Sequence, residues 1–587
     1  MLQFPYGISD FYKIRTEGYC YIDRTACIRA VEAAGMHLIF LRPRRFGKSL
    51  WLSTLENYYD VAKTDEFELL FGDLAIGQNP TSRRNSYFVL RWDFSLVSPQ
   101  GEVAEIGQAL HKHINARIHD FAQTYQNWLQ HPITIQPDNG IASFESLLAA
   151  VKGSPHHLYL LIDEYDNFAN EVLMSQAREG SERYKALLYG EGLLKTVFKA
   201  VKGAGSGMGL DRAFTTGVAP VVLSDLSSGY NVVRDVTFEP ELEMLCGFTE
   251  AEIEALLLQL GQAADSSALT TMRQFYNGYA FGEEPTTLVY NPTLAFYFLQ
   301  HLAARGRPPR DLLDTNLAMD RGKIAYVAKL PASASVLAST LDEAHPPVLD
   351  ALARSFGVAD VLDQPKGVTF MVSLLYYFGV LTRDGYTEMA ELRFRVPNMV
   401  VRSMYVEQLR KLALPPQDDQ AATDAARALF HRGDLQPLCA FIESTYFRAL
   451  DNRDYRWANE LTVKMAFLTL LFNDRFYIVD SEPALERSYA DLVLLVRPDL
   501  RKYALQDALL EFKYLPLSDL GLSGEAVKAM ARQELAALPL VQTRLAEATR
   551  KAEEYRATLL AVYGATLRLH TYAIVALGFE RLVWEKL

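Results

Sequence analysis

Short apolar runs alternate with longer helical patterns over residues 1–243. The runs that predict strands are HLIFL at 37–41, YFVLRWDF at 87–94, LYLLID at 158–163 and AFTTGV at 213–218. All but the second are nearly continuously apolar, as expected for strands that are buried on both faces. The alternation therefore predicts a parallel sheet wrapped by helices.

The middle of the chain has a helical pattern. Thr249, followed three residues later by Glu252, predicts a capping box at the start of a helix. We interpret residues 244–368 as a helical lid or linker domain. Residues 369–414 offer a helix, a turn, a short hairpin and another helix, which is typical of a winged-helix-like region.

A second α/β core is predicted over residues 415–587. After a polar linker and further helices come three β-rich segments, YIVDSEP, SYADLVLLVRP and YALQDALLEFKYL. A long charged helix near 541–560 and a final strand, TYAIVALGF, follow. The charged run from Arg544 to Arg556 is expected to be a solvated helix face. The chain is thus predicted to be an α/β multidomain protein.

Length and charge restrict the functional classes. A chain of 587 residues is too long for one core. A net charge of −12 gives no long-range attraction for phosphate backbones, so contact with nucleic acid must come from local basic patches. Four scattered cysteines, no signal peptide and no apolar run of about 18 residues predict a cytoplasmic protein without a membrane segment.

A phosphate-binding loop is predicted in LIFLRPRRFGKSLWLSTL, between a buried strand and an amphipathic helix. There Lys48 would reach the β- and γ-phosphates and Ser49 would hold Mg²⁺. Arg42 occupies the position of the first glycine of the motif, so a basic turn that caps a helix is the alternative. With ATP as the cofactor, the predicted binding residues are Arg42, Arg45, Phe46, Gly47, Lys48, Ser49, Leu50, Asp163 and Thr216.

A pair of acids at the end of LYLLID favours the nucleotide site. Asp163 is assigned to Mg²⁺ coordination and Glu164 to activation of the attacking water. Exposed loop acids are the alternative, but their order and spacing relative to the loop favour the functional interpretation. Arg44, Arg45 and Arg234 are candidates for neutralising phosphate charge, and the sequence does not select one.

Another charged cluster is predicted near the C-terminus. Asp491 begins one strand, while Glu511 and Lys513 lie two residues apart on the next and so project from one face. Two carboxylates can hold Mg²⁺ or Mn²⁺, and a lysine can orient or deprotonate water, which suits phosphodiester hydrolysis. Alternating charges on a half-exposed strand would give the same pattern. However, Glu511 and Lys513 interrupt the apolar run ALLEFKYL, where a charge needs a partner or a metal.

These motifs together resemble a bacterial family of AAA-ATPase-like proteins that carry a C-terminal PD-(D/E)XK nuclease domain. The similar stretches span nearly the whole chain and are FPYGISDFYKIRTEGYCYIDRT, FLRPRRFGKSLWLSTLENYY, LLIDEYD, TTGVAPVVLSDLSSGYN, CGFTEAEI, YNGYAFG, VYNPTLAFYFL, LLYYFGVLT and VPN. The resemblance implies a P-loop NTPase (AAA-like) parallel sheet, a central helical and winged-helix region and a PD-(D/E)XK nuclease α/β core. In that family Arg42 is a regular feature of the loop.

The resemblance also implies roles for individual residues. Thr216 would stand where AAA-type ATPases sense the γ-phosphate, although an ordinary strand threonine fits equally well. Glu460 would complete the nuclease site from a preceding helix, with Glu486 as the alternative. Tyr555 matches the family's tyrosine, but Thr549 replaces a glutamine that positions substrate or water, which puts full nuclease activity in question.

The leading hypothesis is an ATPase-regulated, metal-dependent endonuclease in which Glu164, Glu460, Asp491, Glu511 and Lys513 are catalytic. The metal ligands would be Ser49 and Asp163 at one site and Asp491 and Glu511 at the other. By family analogy the substrate is DNA in preference to RNA, and the setting is defence or mobile-element biology. AAA-type modules often place an arginine of one subunit in the nucleotide site of the next, so a homo-oligomer is a further expectation. The alternative is a nucleotide-latched signalling or scaffold protein whose nuclease-like domain only binds nucleic acid or protein.

Overall fold

Two compact units make up the chain in the computed structural model. The N-terminal unit comprises Met1–Pro309, Ala318–Pro331 and Leu349–Leu392, and the C-terminal unit comprises Arg310–Leu317, Ala332–Val348 and Arg393–Leu587. The structure describes residues 2–98, 100–167, 192–220, 232–263, 266–282, 287–313, 321–327, 336–337, 339–342, 345–353, 356, 367–448, 460–480 and 491–587. The predicted four-domain division stays a prediction.

Strands are numbered in chain order. They are β1 (His37–Leu41), β2 (Tyr87–Asp93), β3 (His157–Asp163), β4 (Leu210–Gly217), β5 (Arg234–Asp235), β6 (Val348–Leu349), β7 (Thr382–Tyr386), β8 (Leu392–Arg395), β9 (Tyr477–Asp480), β10 (Leu492–Val496), β11 (Asp507–Leu515), β12 (Leu569–Leu577) and β13 (Arg581–Lys586). The four strands predicted before residue 243 are confirmed as β1 to β4.

A parallel sheet forms the core of the N-terminal unit. Its order is β2-β3-β4-β1-β5, and all of its pairings are parallel. The central strands are buried along almost their whole length, which is why they read as continuous apolar runs. Because β4 lies between β1 and β3, the carboxyl ends of these three strands meet at one edge of the sheet, where ligands bind in open α/β folds.

Helices flank the two five-stranded sheets or lie between their strands, and a third sheet has the order β6-β8-β7. Those described in the N-terminal unit are Phe11–Thr16, Cys27–Ala34, Lys48–Tyr59, Phe67–Phe71, Ala75–Gln78, Val103–Thr124, Gly140–Lys152, Leu193–Ala204, Glu250–Gln259, Ser267–Tyr276, Pro292–Arg305, Arg321–Val327 and Val368–Tyr377. The predicted capping box is confirmed, because the Thr249 side chain accepts from the Glu252 amide and the Glu252 side chain accepts from the Thr249 amide.

A mixed sheet forms the core of the C-terminal unit. Its order is β13-β12-β11-β10-β9; β11 and β12 are parallel, and the other neighbours are antiparallel. The helices described there are Met399–Ala413, Asp419–Arg432, Gln436–Phe441, Glu460–Leu471, Leu517–Leu520, Gly524–Ala529, Arg532–Ala536 and Pro539–Tyr563. Val575, Leu577 and Val583 of the sheet pack with Val527, Leu535 and Val541 of the helices. Over the described ranges, no helix combines the length and apolar character needed to span a membrane.

Candidate functional sites

The predicted phosphate-binding loop joins β1 to the helix Lys48–Tyr59, which we call the P-loop helix. The loop turns sharply, because Arg45 has a φ of 68° and Gly47 a φ of 100°. A glycine adopts the second of these angles without the steric penalty that a side chain would bring. Gly47 is the N-cap, so the first turn of the helix faces the loop. Unpaired amides and the positive end of a helix dipole favour phosphate at such a position.

Lys48 lies inside this loop. Its Nζ donates to the carbonyl oxygens of Arg42 at 2.9 Å and Pro43 at 3.0 Å. Burial lowers the pKa of the Lys48 ammonium, while the nearby Glu164 and Asp163 carboxylates act in the opposite direction. The ammonium is therefore held close to both acids by carbonyl groups that a phosphate oxygen could replace.

Arg42 has turned its side chain into the protein. The guanidinium donates to the carbonyl oxygens of Leu41 at 2.9 Å and Thr237 at 2.7 Å. It also lies over the rings of Phe40 and Phe281, 4.3 and 4.5 Å from their centroids. The side chain supports the loop from the core, and the contact of Arg42 with nucleotide stays a prediction.

The other predicted loop residues divide between the core and the surface. Phe46 is buried and packs edge-on against Tyr279 and Phe281. The carbonyl of Arg45 accepts a hydrogen bond from the Thr293 hydroxyl at 3.1 Å. Ser49 and Leu50 lie in the first turn of the P-loop helix and are partly exposed. The contact of Ser49 with a cation at the phosphates stays a prediction.

The acid pair lies at the end of β3. Asp163 is 1% exposed, and its Oδ1 accepts from the Thr216 hydroxyl at 2.7 Å. Glu164 follows with a φ of 47°. Burial raises the pKa of the Glu164 carboxyl, and the charges of Lys48 and Arg44 oppose that rise. Thr216 thus orients Asp163 directly, while its predicted contact with a γ-phosphate stays a prediction.

The arginines near the acid pair coincide only in part with those that the sequence suggested. Arg44 donates to the side-chain oxygen of Asn167 and lies near Glu164. Arg234 instead lies on β5, where it pairs with Leu38 of β1, and its guanidinium donates to the Ala34 carbonyl. Sequence reasoning missed Arg91, whose guanidinium pairs with Asp163 Oδ2 at 3.1 Å. Its signal was a basic residue in YFVLRWDF, the run that was not continuously apolar.

The acids predicted near the C-terminus meet on neighbouring strands. Leu492 of β10 pairs with Leu510 of β11, which places Asp491 beside Glu511. The Asp491 amide donates to Glu511 Oε2 at 3.4 Å, and Asp491 Oδ2 accepts from the Phe512 amide at 2.8 Å. Phe512 points to the other side of the strand and packs against Phe467. The two carboxylates therefore share one small, largely buried space.

Two lysines share this space with the acids. Lys513 Nζ lies 3.5 Å from Glu511 Oε1 and 3.0 Å from Glu460 Oε1, so the structure brings all four predicted residues together. Lys551, which sequence reasoning missed, lies 3.1 Å from the same Glu511 oxygen. The alternative acid Glu486 lies outside the described residues.

Lys551 comes from the helix Pro539–Tyr563, which carries the predicted solvated run. Lys551 thus turns towards the acids, so the prediction that this run is a solvated helix face is wrong at this position. Tyr555 of this helix is buried. The Thr549 hydroxyl is also buried and has no hydrogen-bond partner among the described residues. A one-dimensional charge pattern could not tell Lys551 from its neighbours.

Glu511 is the residue of this site whose negative charge is disfavoured by its surroundings. It is fully buried, and this burial, with the adjacent Asp491 charge, raises the pKa of Glu511 to about 7, although Lys551 and Lys513 oppose the rise. A divalent cation would relieve the repulsion between the two carboxylates. Within the described ranges, no cluster of three or more His, Cys, Asp or Glu side chains is suited to a metal. A cation here would thus rest on Asp491 and Glu511, with other ligands from water or substrate.

Comparison with known proteins bears on the first of these sites. The family AAA-ATPase_like, described as "Predicted AAA-ATPase", matches residues 5–227. An "Uncharacterized protein in vnfD 5'region" of Azotobacter chroococcum mcd 1 is 24% identical over 422 residues, which cover 70% of each chain.

Similar solved structures share little sequence with this chain. The Aeropyrum pernix ORC1 protein in complex with DNA is 10% identical, with a TM-score of 0.26, over 67% of this chain and 93% of that chain. The ADP form of Aeropyrum pernix ORC2 is 12% identical, with a TM-score of 0.30, over 67% and 96%. At such scores these structures add nothing to the assignment. Residues 5–227 are thus similar to the AAA-ATPase-like family, and the parallel sheet and the turn of the loop match a P-loop NTPase fold.

Proposed function

We propose that the protein is a metal-dependent nuclease whose activity is set by ATP at the N-terminal site. The observation that carries the nuclease half is the convergence of Asp491, Lys513 and Lys551 on the buried Glu511 carboxylate, each through a contact of 3.5 Å or less. Glu460 joins them by pairing with Lys513 at 3.0 Å. Buried charges gathered in this way are expensive unless they serve a ligand or a reaction.

Phosphodiester hydrolysis fits the chemistry of these groups. Asp491 and Glu511 would hold Mg²⁺ or Mn²⁺, which when bound polarises the phosphate and the attacking water. The Lys513 ammonium, which Glu460 fixes, donates a hydrogen bond to that water and orients it, and the proton of the water passes to solvent. Lys551 offsets negative charge at Glu511 and pairs with a phosphate oxygen of the substrate. DNA in preference to RNA as the substrate belongs to this proposal.

ATP is the nucleotide of the N-terminal site in this proposal. Lys48 and the first turn of the P-loop helix bind its phosphates, Ser49 and Asp163 would hold Mg²⁺, and Glu164 activates water. The AAA-ATPase-like match over residues 5–227 supports this half. The proposal also includes a homo-oligomeric assembly and a cytoplasmic location. It divides the chain into domains at 1–243, 244–368, 369–414 and 415–587.

A second function is favoured by one feature of the C-terminal site. Both ammonium groups lie within 3.5 Å of Glu511 Oε1, so the carboxylate already has counter-charges without a cation. A domain of this kind could bind nucleic acid or protein without cutting it, and ATP would then act as a latch in a signalling scaffold.

Digestion of labelled substrates separates the two functions. Plasmid, single-stranded DNA and RNA are incubated with the full-length protein and Mg²⁺ or Mn²⁺, with and without ATP. We expect divalent-dependent cleavage that Lys513→Ala reduces at least 100-fold and that the exposed control Lys502→Ala leaves unchanged. If every substrate stays intact under all conditions, or if Lys513→Ala cuts as well as the wild type, the nuclease is refuted and the scaffold is favoured.

A further inference from the structure

Arg91 connects the acid pair to the P-loop helix. Its guanidinium lies 3.1 Å from Asp163 Oδ2 and donates to the Ser49 carbonyl at 3.4 Å. Through its other terminal nitrogen it pairs with Glu56 Oε2 at 3.3 Å. Glu56 lies seven residues after Ser49 on the same helix, so one side chain joins both predicted magnesium ligands to a second carboxylate.

In this arrangement both oxygens of Asp163 have a partner. Oδ1 accepts from the Thr216 hydroxyl, and Oδ2 faces the Arg91 guanidinium. A cation bound at Oδ2 would meet a positive charge about one hydrogen-bond length away, and like charges at that distance repel strongly in a buried site. Cation binding at Asp163 therefore requires the guanidinium to move back.

Glu56 gives the guanidinium a place to go. Its carboxylate is 38% exposed and lines a cavity of about 410 Å³ beside β2, in the N-terminal unit. Arg91, Asp93, His113 and Arg117 also line this cavity. The guanidinium can thus turn from Asp163 towards Glu56 and the cavity and still keep a counter-charge.

We propose that Arg91 is a positioning residue that competes with the divalent cation for Asp163, and that Glu56 draws it away when the cation binds with nucleotide. This inference rests on the proposed nucleotide site. In the absence of nucleotide, Arg91 neutralises the buried acid; when the cation arrives, Glu56 takes over the guanidinium.

Opposite effects of two variants test this competition. The binding of a fluorescent ATP analogue is followed while Mg²⁺ is titrated, and the half-saturating Mg²⁺ concentration is the readout. We expect Arg91→Gln to lower that concentration at least threefold, because the competitor is gone. Glu56→Gln should raise it at least threefold, because Arg91 then stays on Asp163, and the double variant should behave like Arg91→Gln. The matched controls are Arg117→Gln, which lines the same cavity, and the exposed Glu68→Gln.

The outcomes distinguish this inference from the proposal beneath it. If both single variants shift the Mg²⁺ requirement in the same direction, or neither shifts it while the wild type binds nucleotide, Arg91 is a structural residue and the inference is overturned alone. If the wild type binds no nucleotide at any Mg²⁺ concentration, the nucleotide site itself is overturned and the inference with it.

Discussion

Replacing Arg42 by methionine separates support of the phosphate loop from nucleotide binding. Arg42 stands where the loop motif has its first glycine, yet its buried guanidinium points into the core. Methionine keeps an unbranched apolar stem between Phe40 and Phe281 but has no donors. The variant should therefore weaken the fold far more than it changes the contacts of a bound nucleotide.

The expected loss follows from the groups left without a partner. Two hydrogen bonds from a charged donor, to the Leu41 and Thr237 carbonyls, contribute about 1.5 to 3 kcal/mol each. Methionine retains part of the packing against the two rings. We expect the free energy of unfolding to fall by about 3 to 5 kcal/mol, which lowers the midpoint of thermal unfolding of the N-terminal unit by roughly 10 °C.

Thermal unfolding and nucleotide titration on the same samples decide this. We expect Arg42→Met, kept below its unfolding transition, to bind a fluorescent ATP analogue within threefold of the wild type. Lys48→Ala should lose nucleotide binding, and its midpoint should fall as well because its ammonium donates to two carbonyls, whereas the exposed control Lys112→Ala should keep both properties. An Arg42→Met protein that unfolds like the wild type but has lost nucleotide binding would refute the supporting role.

Three further predictions concern other parts of the two units. Burial raises the pKa of Asp60 from 3.8 to about 6. Between these pH values the folded state therefore binds more protons than the unfolded state, and the free energy of unfolding falls as the pH rises. Asp60→Asn removes this pH dependence. The free energy of unfolding of the variant minus that of the wild type, measured by urea unfolding, should be up to about 3 kcal/mol greater at pH 7 than at pH 4. An equal difference at both pH values would contradict this. Gly379 has a φ of 74°, and a Cβ there would lie 2.6 Å from Pro43 Cβ in the phosphate loop, whereas Gly385 has a similar φ and open space. Gly379→Ala should therefore weaken ATP binding at least fivefold while Gly385→Ala does not, and equal losses would mean that backbone strain alone is responsible. Lys551→Ala removes the ammonium beside Glu511 and should slow cleavage at least tenfold while tightening Mn²⁺ binding, whereas Arg550→Ala, which removes an exposed charge from the same helix, should change neither; unchanged cleavage by Lys551→Ala would remove this residue from the site.

Elements whose signal is local were predictable from the sequence. The strands β1, β3 and β4 are buried on both faces and so appear as short apolar runs. The phosphate loop, with Lys48, and the pair of Glu511 and Lys513 depend on neighbours in the chain, and strand alternation fixes their common direction. The family match over residues 5–227 then supports ATP as the nucleotide.

Contacts that depend on tertiary packing were not predictable in the same way. Arg91 meets Asp163 only because β2 lies beside β3 in the sheet, and Lys551 meets Glu511 only because its helix packs on β11. The inward turn of Arg42 depends on the Thr237 carbonyl, which comes from a distant segment. A pattern could mark these side chains as charged but could not show which carboxylate or carbonyl each one meets.

Manganese binding is the sharpest test of the proposed function, which requires two separate sites that hold a divalent cation. Mn²⁺ is titrated into the full-length protein and followed by electron paramagnetic resonance, with and without ATP. We expect one site that needs ATP and is lost in Lys48→Ala, and another that is independent of ATP and is lost in Asp491→Asn. If Asp491→Asn binds as many Mn²⁺ ions as the wild type under both conditions, the C-terminal acids hold no cation and the hydrolytic role assigned to them is wrong.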